Sequence, residues 1–281
     1  MKDTKNIKKF LKTVFARKVT VINAIIVLIF IFLAIFAPFV APYDPDKPDF
    51  AAFLQLPSAA HVLGTDNFGR DVLSRIIYGT RVSLIIGVLA VVVACAVGTV
   101  LGMIAGYFGG WIDDVITRLM EAVRAIPQII LAMALTAVFG SGIRNLAIIL
   151  GISSMAGYVR MMRGQVLTIK QADYIMAGKL QGNKDFRLMF RHILPNSISP
   201  IIVMMTQQVG STILAEAGLS FLGLGISAPT ASWGSMVRNF LMDNPVYALV
   251  PGVCVAILVI SLNMLGDGVR DALDPRLRGE S

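Results

Sequence analysis

Two long stretches of this chain, residues 19–43 and 82–112, contain no charged side chain at all. A helix of about 20 mostly apolar residues crosses the hydrocarbon core of a bilayer, so each stretch is long enough to span one. A signal peptide also follows a basic start, but its apolar region is only about 7–15 residues long and ends in a small-residue cleavage site. The run after Lys2, Lys5, Lys8, Lys9, Lys12, Arg17 and Lys18 is far longer. It reads as a retained first membrane helix.

Six segments reach or approach spanning length: 19–41, 82–106, 122–140, 144–162, 196–216 and 247–266. The fourth is the tightest, because Arg144 and Arg160 bracket only 15 uncharged residues. Arginines at helix ends extend to the interface, so the span stands. Composition agrees: 56% of the 281 residues are apolar and 15% charged, against roughly 45–50% and about 25% in soluble domains. The expected fold class is an all-α polytopic membrane protein with six transmembrane helices.

Six spans put both termini on one side. Lys and Arg favour the cytoplasm. With the N-terminus inside, 19 of the 25 Lys and Arg residues fall inside and 6 outside, so both termini are expected to be cytoplasmic. The net charge of +8 therefore flanks membrane segments and does not point to a nucleic-acid partner. The expected division is 1–80 for the tail, first span and extracytoplasmic segment, 81–270 for the transmembrane domain, and 271–281 for a cytoplasmic tail.

The outside segment opens with Pro42-Tyr43-Asp44-Pro45-Asp46, which is irregular because of its prolines. It ends in 71–81, where Val72, Leu73, Ile76 and Ile77 share a helical face. That predicts a short interfacial helix lying on the membrane. Inside, Phe186, Met189, Phe190 and Ile193 follow helical spacing, and Gly182-Asn183 separates this helix from the one before. Gly98, Gly102 and Gly106 recur every fourth residue, which lets helix backbones approach closely in lipid. They serve packing within the subunit or contact with a partner across the pore. Trp233 suits the outer interface, where Trp is enriched. Asp267, Arg270, Asp271 and Asp274 stand at pairing offsets before Pro275 stops the helix.

Catalytic chemistry is sparse. The two histidines, His61 and His192, form no H-E-x-x-H motif, and no Gly-x-Ser-x-Gly elbow is present. The only Gly-Lys pair, Gly178-Lys179, is followed by Leu180 where a phosphate loop needs Ser or Thr. No catalytic residue and no metal site is expected. Cys95 and Cys254 lie apart in apolar runs, and the pairs Met161-Met162 and Met204-Met205 point in divergent directions, so all six read as packing residues. Ion-coupled transporters keep ionisable groups at the midplane. Here Glu216, near the outer end of the fifth span, is the clear candidate for a gate or pore-lining group, with Gln207 of the same span as a second pore-lining candidate. Arg118, Glu121 and Arg124 read as an i,i+3 paired charged entrance to the third span.

The inside segment reads Tyr174-Ile-Met-Ala-Gly-Lys-Leu-Gln-Gly182, then Arg191-His-Ile-Leu-Pro-Asn196. It resembles the cytoplasmic loop of bacterial ABC importer permeases, which carries a Glu-Ala-Ala triplet, a glycine one turn later and an Ile-x-Leu-Pro end. Met176-Ala177-Gly178 overlies the triplet, Gly182 the glycine, and His192-Ile193-Leu194-Pro195 the end, with the isoleucine one place off. Met176 stands where the family has Glu, so a salt bridge from that position is not expected. Three more blocks occur in family order. His61-Val-Leu-Gly-Thr-Asp-Asn-Phe-Gly-Arg-Asp-Val-Leu-Ser-Arg75 is similar to the segment before the second span of C-type permeases of dipeptide, oligopeptide and nickel importers. Glu216-Ala-Gly-Leu-Ser-Phe-Leu-Gly-Leu-Gly225 with Ser232-Trp-Gly234, and the block from Asn263 to Arg278, match later stretches.

The resemblance implies a type I ABC importer permease fold in the bacterial cytoplasmic membrane. It implies a coupling loop over about 164–195, carried by Tyr174, Met176, Ala177, Gly178, Gly182, His192, Leu194 and Pro195, that docks on an ATPase subunit. The implied partners are the bilayer, a second related permease, two ATPase subunits that hold ATP and Mg, and an extracytoplasmic substrate-binding protein. This chain would bind no cofactor. The implied cargo is di- or oligopeptide, with nickel or a nickel chelate as the alternative. An ion-coupled secondary transporter is the alternative of another class.

Overall fold

The computed structural model describes residues 13–273 and is almost wholly helical. An isolated bridge between Thr65 and Asp71 is the one β-type pairing among the described residues. The basic residues before position 13, and Asp274, Pro275 and the tail beyond, lie outside them. Helix α1 covers Lys18–Ile35. Its apolar side chains largely face outward, as for Leu28 (62% exposed) and Ile35 (60%). In water that surface would be a liability; in hydrocarbon it is the expected face.

Helix α2, Val72–Phe108, is continuous over 37 residues, about 55 Å at 1.5 Å per residue. The separate interfacial helix expected at 71–81 is instead the first turns of α2. Asp71 caps its start, with Oδ2 accepting from the Ser74 amide at 2.8 Å, and no proline interrupts the chain from there to Phe108. At its other end Gly109 (φ +67°) and Gly110 (φ +54°) turn the chain.

The expected third span, 122–140, is broken. Helix α3, Gly110–Ala125, and helix α4, Gln128–Phe139, meet at 93°. The joint is Ile126-Pro127. Pro127 keeps Ile126 extended (ψ 126°) and has no N–H for a continuous ladder. Helix α5 follows at Ile143–Ile169, longer than the expected 144–162. The short α6, Asp173–Leu180, and α7, Asp185–Leu188, precede α8, Ile198–Phe221. Helix α9, Trp233–Asp243, folds back before α10, Leu249–Leu273.

Five helices have the length and composition to cross a membrane, and the bent α3–α4 pair makes a sixth. Packing decides that this pair does cross. A Cβ on Gly98 would meet Tyr158, one on Gly102 Met162, and one on Gly106 Val166. Residue numbers thus rise together on α2 and α5, so the two helices run parallel. The chain between them has to return to the starting side. Helix α8 is antiparallel to α2, with Gly87 against Ile213 and Ser83 against Glu216. Helix α10 is antiparallel to α8, with Gly210 against Asn263 and Gly266 against Gln207. Thr20 packs on Gly268. The start of α1 and the ends of α2, α5 and α10 therefore share one side with α6 and α7, here called the coupling side. The opposite side carries residues 42–71 and is called the cap side.

The glycine row also has its partner. All three glycines pack inside the subunit, on α5. A Cβ at Gly102 would run into the Val159 carbonyl oxygen. Helices in lipid associate through close packing, since lipid is as apolar as leucine. That row is what lets α2 and α5 meet over most of their length.

Three apolar clusters lie along the axis. Val72, Ile76, Ile213, Trp233 and Phe240 fill the cap side. Val82, Ile86, Leu146, Leu150 and Leu219 fill the middle. Met103, Met162, Val166, Ile175 and Ile193 fill the coupling side. Trp233 is not an interface residue: it is fully buried, and its Nε1 donates to the Ile76 carbonyl at 3.0 Å. Gly79 makes room for its ring.

Candidate functional site

The coupling-side loop is a helix-turn-helix. Lys170 Nζ donates to the Gly106 carbonyl at 2.8 Å, tying the end of α5 to α2. Helix α6 ends in a Schellman turn. The Gly182 amide (φ +79°) donates to Lys179 O, and the Asn183 amide donates to Gly178 O. Only glycine takes that φ without strain. Gly178 brings α6 against Leu188 of the following helix, where a Cβ would sit 3.0 Å from Leu188 Cδ2.

Helix α7 then widens through Met189–Ile193, with the Leu194 amide bonding back to Met189 O. Pro195 has no N–H for the Arg191 carbonyl, and a widened turn accommodates an interrupted ladder. This splits the stripe expected at Phe186, Met189, Phe190 and Ile193. Met189 and Ile193 enter the core with Leu188, while Phe186 and Phe190 stay exposed and stack at 4.4 Å.

The structure thus brings the eight loop residues onto one small unit. Ile175 is the anchor, 4% exposed. Around it Tyr174, Met176 and Ala177 face outward, and Leu180 is 90% exposed. Gly178, His192 and Leu194 are half-buried, and Pro195 is exposed. Asn196 Nδ2 donates to the His192 carbonyl at 2.6 Å and reaches Tyr174 Oη at 3.4 Å, closing the two arms. Tyr107 Oη donates to Asp185 Oδ1 at 2.6 Å, a second tie from α2. The loop is bonded to α2 at its base and exposes apolar side chains at its tip.

Glu216 lies on the cap side. It is fully buried within the chain. Ser220 Oγ and Ser232 Oγ donate to its Oε1 at 2.8 and 3.1 Å, and Ser83 Oγ donates to Oε2 at 3.2 Å. Ser220 Oγ also accepts from the Ile226 amide at 3.1 Å. One carboxylate thereby joins α8, α2 and the fold-back segment 222–232. Gln207 sits elsewhere on α8, with Nε2 on Asp267 Oδ1 of α10 at 3.3 Å. The two candidate polar groups are not brought together.

A second cap-side network was not recognised from the sequence. Arg75 is 3% exposed. Its Nη1 donates to the Pro45 carbonyl at 2.7 Å and to the Pro229 carbonyl at 3.3 Å. It pairs with Asp66 at 3.5 Å, and Asp66 is held by Arg70 at 2.7 Å. His61 Nδ1 lies 2.9 Å from Asp71 Oδ1. The i,i+4 spacing of Asp66 and Arg70 was the available signal. The Arg75 partners are far away in sequence and left none.

The remaining charged groups differ from expectation. Arg118, Glu121 and Arg124 form no ion pairs with one another. Glu121 and Arg124 instead line a cleft of about 260 Å³ with Arg160 and Arg163. The strong link there is Asp113 to Arg163, bidentate at 2.5 and 2.6 Å. Asp271 pairs with Arg17 of the α1 entry at 3.0 Å, a partner outside its own helix. No cluster of three metal-type ligands exists among the described residues.

Residues 98–279 match the family described as binding-protein-dependent transport system inner membrane component. Residues 7–57 match the N-terminal TM domain of oligopeptide transport permease C. The chain is 42% identical over 264 residues to the dipeptide transport system permease protein DppC of Alkalihalophilus pseudofirmus, covering 93% of this chain and 87% of that one. It is 40% identical over 275 residues to the glutathione transport system permease protein GsiD of Pectobacterium atrosepticum, covering 96% and 91%. A chain of the MetNI methionine ABC transporter in an inward-facing conformation superposes with a TM-score of 0.59 at 16% identity, over 72% of this chain and 97% of that one. That likeness concerns the fold alone. The six-crossing helical fold, the apolar outer faces and these matches lead to one conclusion: the chain belongs to the family of binding-protein-dependent transport system inner membrane components, and is a multi-pass permease subunit of the bacterial inner membrane.

Proposed function

We propose that this permease forms one half of an ATP-driven importer for di- and oligopeptides, with its coupling side in the cytoplasm. The observation that carries the reading is the coupling loop: an exposed apolar tip of Tyr174, Met176 and Leu180 on a base bonded to α2. A short helix with outward apolar residues is a groove ligand for a partner protein. The count of Lys and Arg supports the sidedness.

In this reading a related permease completes the pore. Two ATPase subunits bind ATP and Mg, and one of them receives this loop. A substrate-binding protein delivers cargo from the cap side. ATP-driven closure of the ATPases draws the loop with it, and hydrolysis resets it. The lever is α2, which runs unbroken from the Arg75 network to Tyr107. Rigid elements of that kind move as bodies and do not bend continuously.

Peptide cargo follows from the relative named for dipeptides. The relative named for glutathione extends the range to a modified tripeptide. Deleting 172–185 is expected to abolish uptake while membrane insertion persists; normal uptake by that deletion refutes the reading. Screening the co-purifying binding protein against dipeptides, glutathione and nickel chelates then assigns the cargo. Uptake that persists without ATP and collapses with an ion gradient would mark a secondary transporter instead.

A further inference from the structure

Three arginines follow one another at the cap side. Arg70 and Arg75 are buried and paired with Asp66. Arg81, farther down α2, is exposed and makes no hydrogen bond or ion pair with a described residue. It stands directly before the charge-free run of α2, at the mouth of a groove of about 590 Å³ bounded by α1, α2, α8 and α10.

The groove walls include Ile31 and Ile35 of α1, Leu84 and Val88 of α2, and Leu265 of α10. Thr206 is the only other polar residue lining it, and its hydroxyl is already bonded to the Val203 carbonyl. From Arg81 to Leu89 the wall descends about 12 Å, close to one leaflet of the roughly 30 Å hydrocarbon core. Its volume lies within the 300–1,000 Å³ range of ligand sites.

We propose that this groove binds an acyl chain of an anionic glycerophospholipid from the cap-side leaflet, with the phosphate on Arg81. A cation at the top of an apolar slot is placed to meet an anion at interface depth. A guanidinium takes a phosphate in a two-point, charge-assisted contact. The chain's own remaining N-terminal segment is a poor occupant. It carries five lysines before residue 13, a charge of the same sign as Arg81, and it joins α1 on the coupling side.

The test uses the full chain with its co-purifying partners, reconstituted in phosphatidylcholine nanodiscs containing a minor share of phosphatidylglycerol. Native mass spectrometry counts the lipids retained. The wild type is expected to retain phosphatidylglycerol above its share in the disc. Arg81→Gln is expected to lower that enrichment about fivefold, and Arg81→Lys to keep most of it. Val88→Trp, which fills the groove from an exposed position, is expected to release bound lipid of either class. Unchanged enrichment in Arg81→Gln, or lipid retained at the disc composition, overturns the proposal. So does a cross-link from a cysteine placed at Ile85 to a second permease, which would make the groove a subunit contact.

Discussion

The two ends of this bundle solve opposite problems. The cap side is built on a buried polar network, beneath an outer segment that exposes Phe50 and Leu56 at 73 and 71%. Arg75, Asp66, Asp71 and Glu216 are all under 5% exposed, and each has several partners within the chain. The coupling side is open. Its core residues are satisfied, yet Leu180, Phe186 and Met176 are 90, 70 and 53% exposed. Buried polar groups are costly unless bonded, so this network ties α2 to residues 45–66 and to the end of α8. Exposed apolar groups outside the membrane mark an interaction site, and the proposed function assigns this one to an ATPase subunit. One end buries its polar groups, and the other presents the loop on which the proposed function places the drive.

Substitutions can break or sharpen that contrast. The largest loss is expected for Glu216→Ala, which strands the hydroxyls of Ser83, Ser220 and Ser232. At about 1 kcal/mol or more per orphaned group, it should cost about 3 kcal/mol or more. Thermal unfolding followed by size-exclusion chromatography measures it. A wild-type melting profile would show that the cap network does not hold the fold.

Gly102→Leu comes next. Its side chain would start against the Val159 carbonyl and force α2 from α5, a loss of about 1–3 kcal/mol. The same melting experiment reads it. A change at Gly164, which has no neighbour within 4 Å, is the control.

Tyr107→Phe removes the bond to Asp185. About 1.5 kcal/mol is expected for a hydrogen bond to a charged group, discounted because the site is partly solvated. Uptake per ATP hydrolysed should fall more than stability does, because the loop loses a tie to α2. Equal uptake per ATP would remove α2 from the coupling path.

The smallest effect on stability is expected for Leu180→Asp, within about 0.5 kcal/mol as for other surface changes. Its effect on ATPase association should be the greatest of the four. Such a result would separate the two ends cleanly.

Much of the fold was legible in the sequence because membrane spans announce themselves through charge-free runs. The bend at Pro127 was hidden by the same property: Leu131, Ala132 and Met133 continue the apolar run whether or not the helix does. Trp233 was placed at an interface because hydropathy does not distinguish an interface from a core. Glu216 was visible as a lone carboxylate in a span, but Ser83 lies 133 residues earlier. Only the antiparallel packing of α2 and α8 brings them together. The helix-turn-helix around Gly182 was readable because its punctuation is local. Gly182 needs a positive φ, and Pro195 interrupts a ladder. Which of its apolar residues face outward was set by the widened turn, which period counting does not foresee.

The most direct test is a pull-down of the C-terminally tagged chain from gently solubilised native membranes, with Leu180→Asp beside the wild type. Mass spectrometry identifies what co-purifies. The account predicts a second permease, ATPase subunits and a lipid-anchored binding protein with the wild type, and a lower yield of ATPase, with the other partners kept, for Leu180→Asp. Recovery of the chain by itself, intact and monodisperse, or full retention of the ATPase by Leu180→Asp, would contradict it.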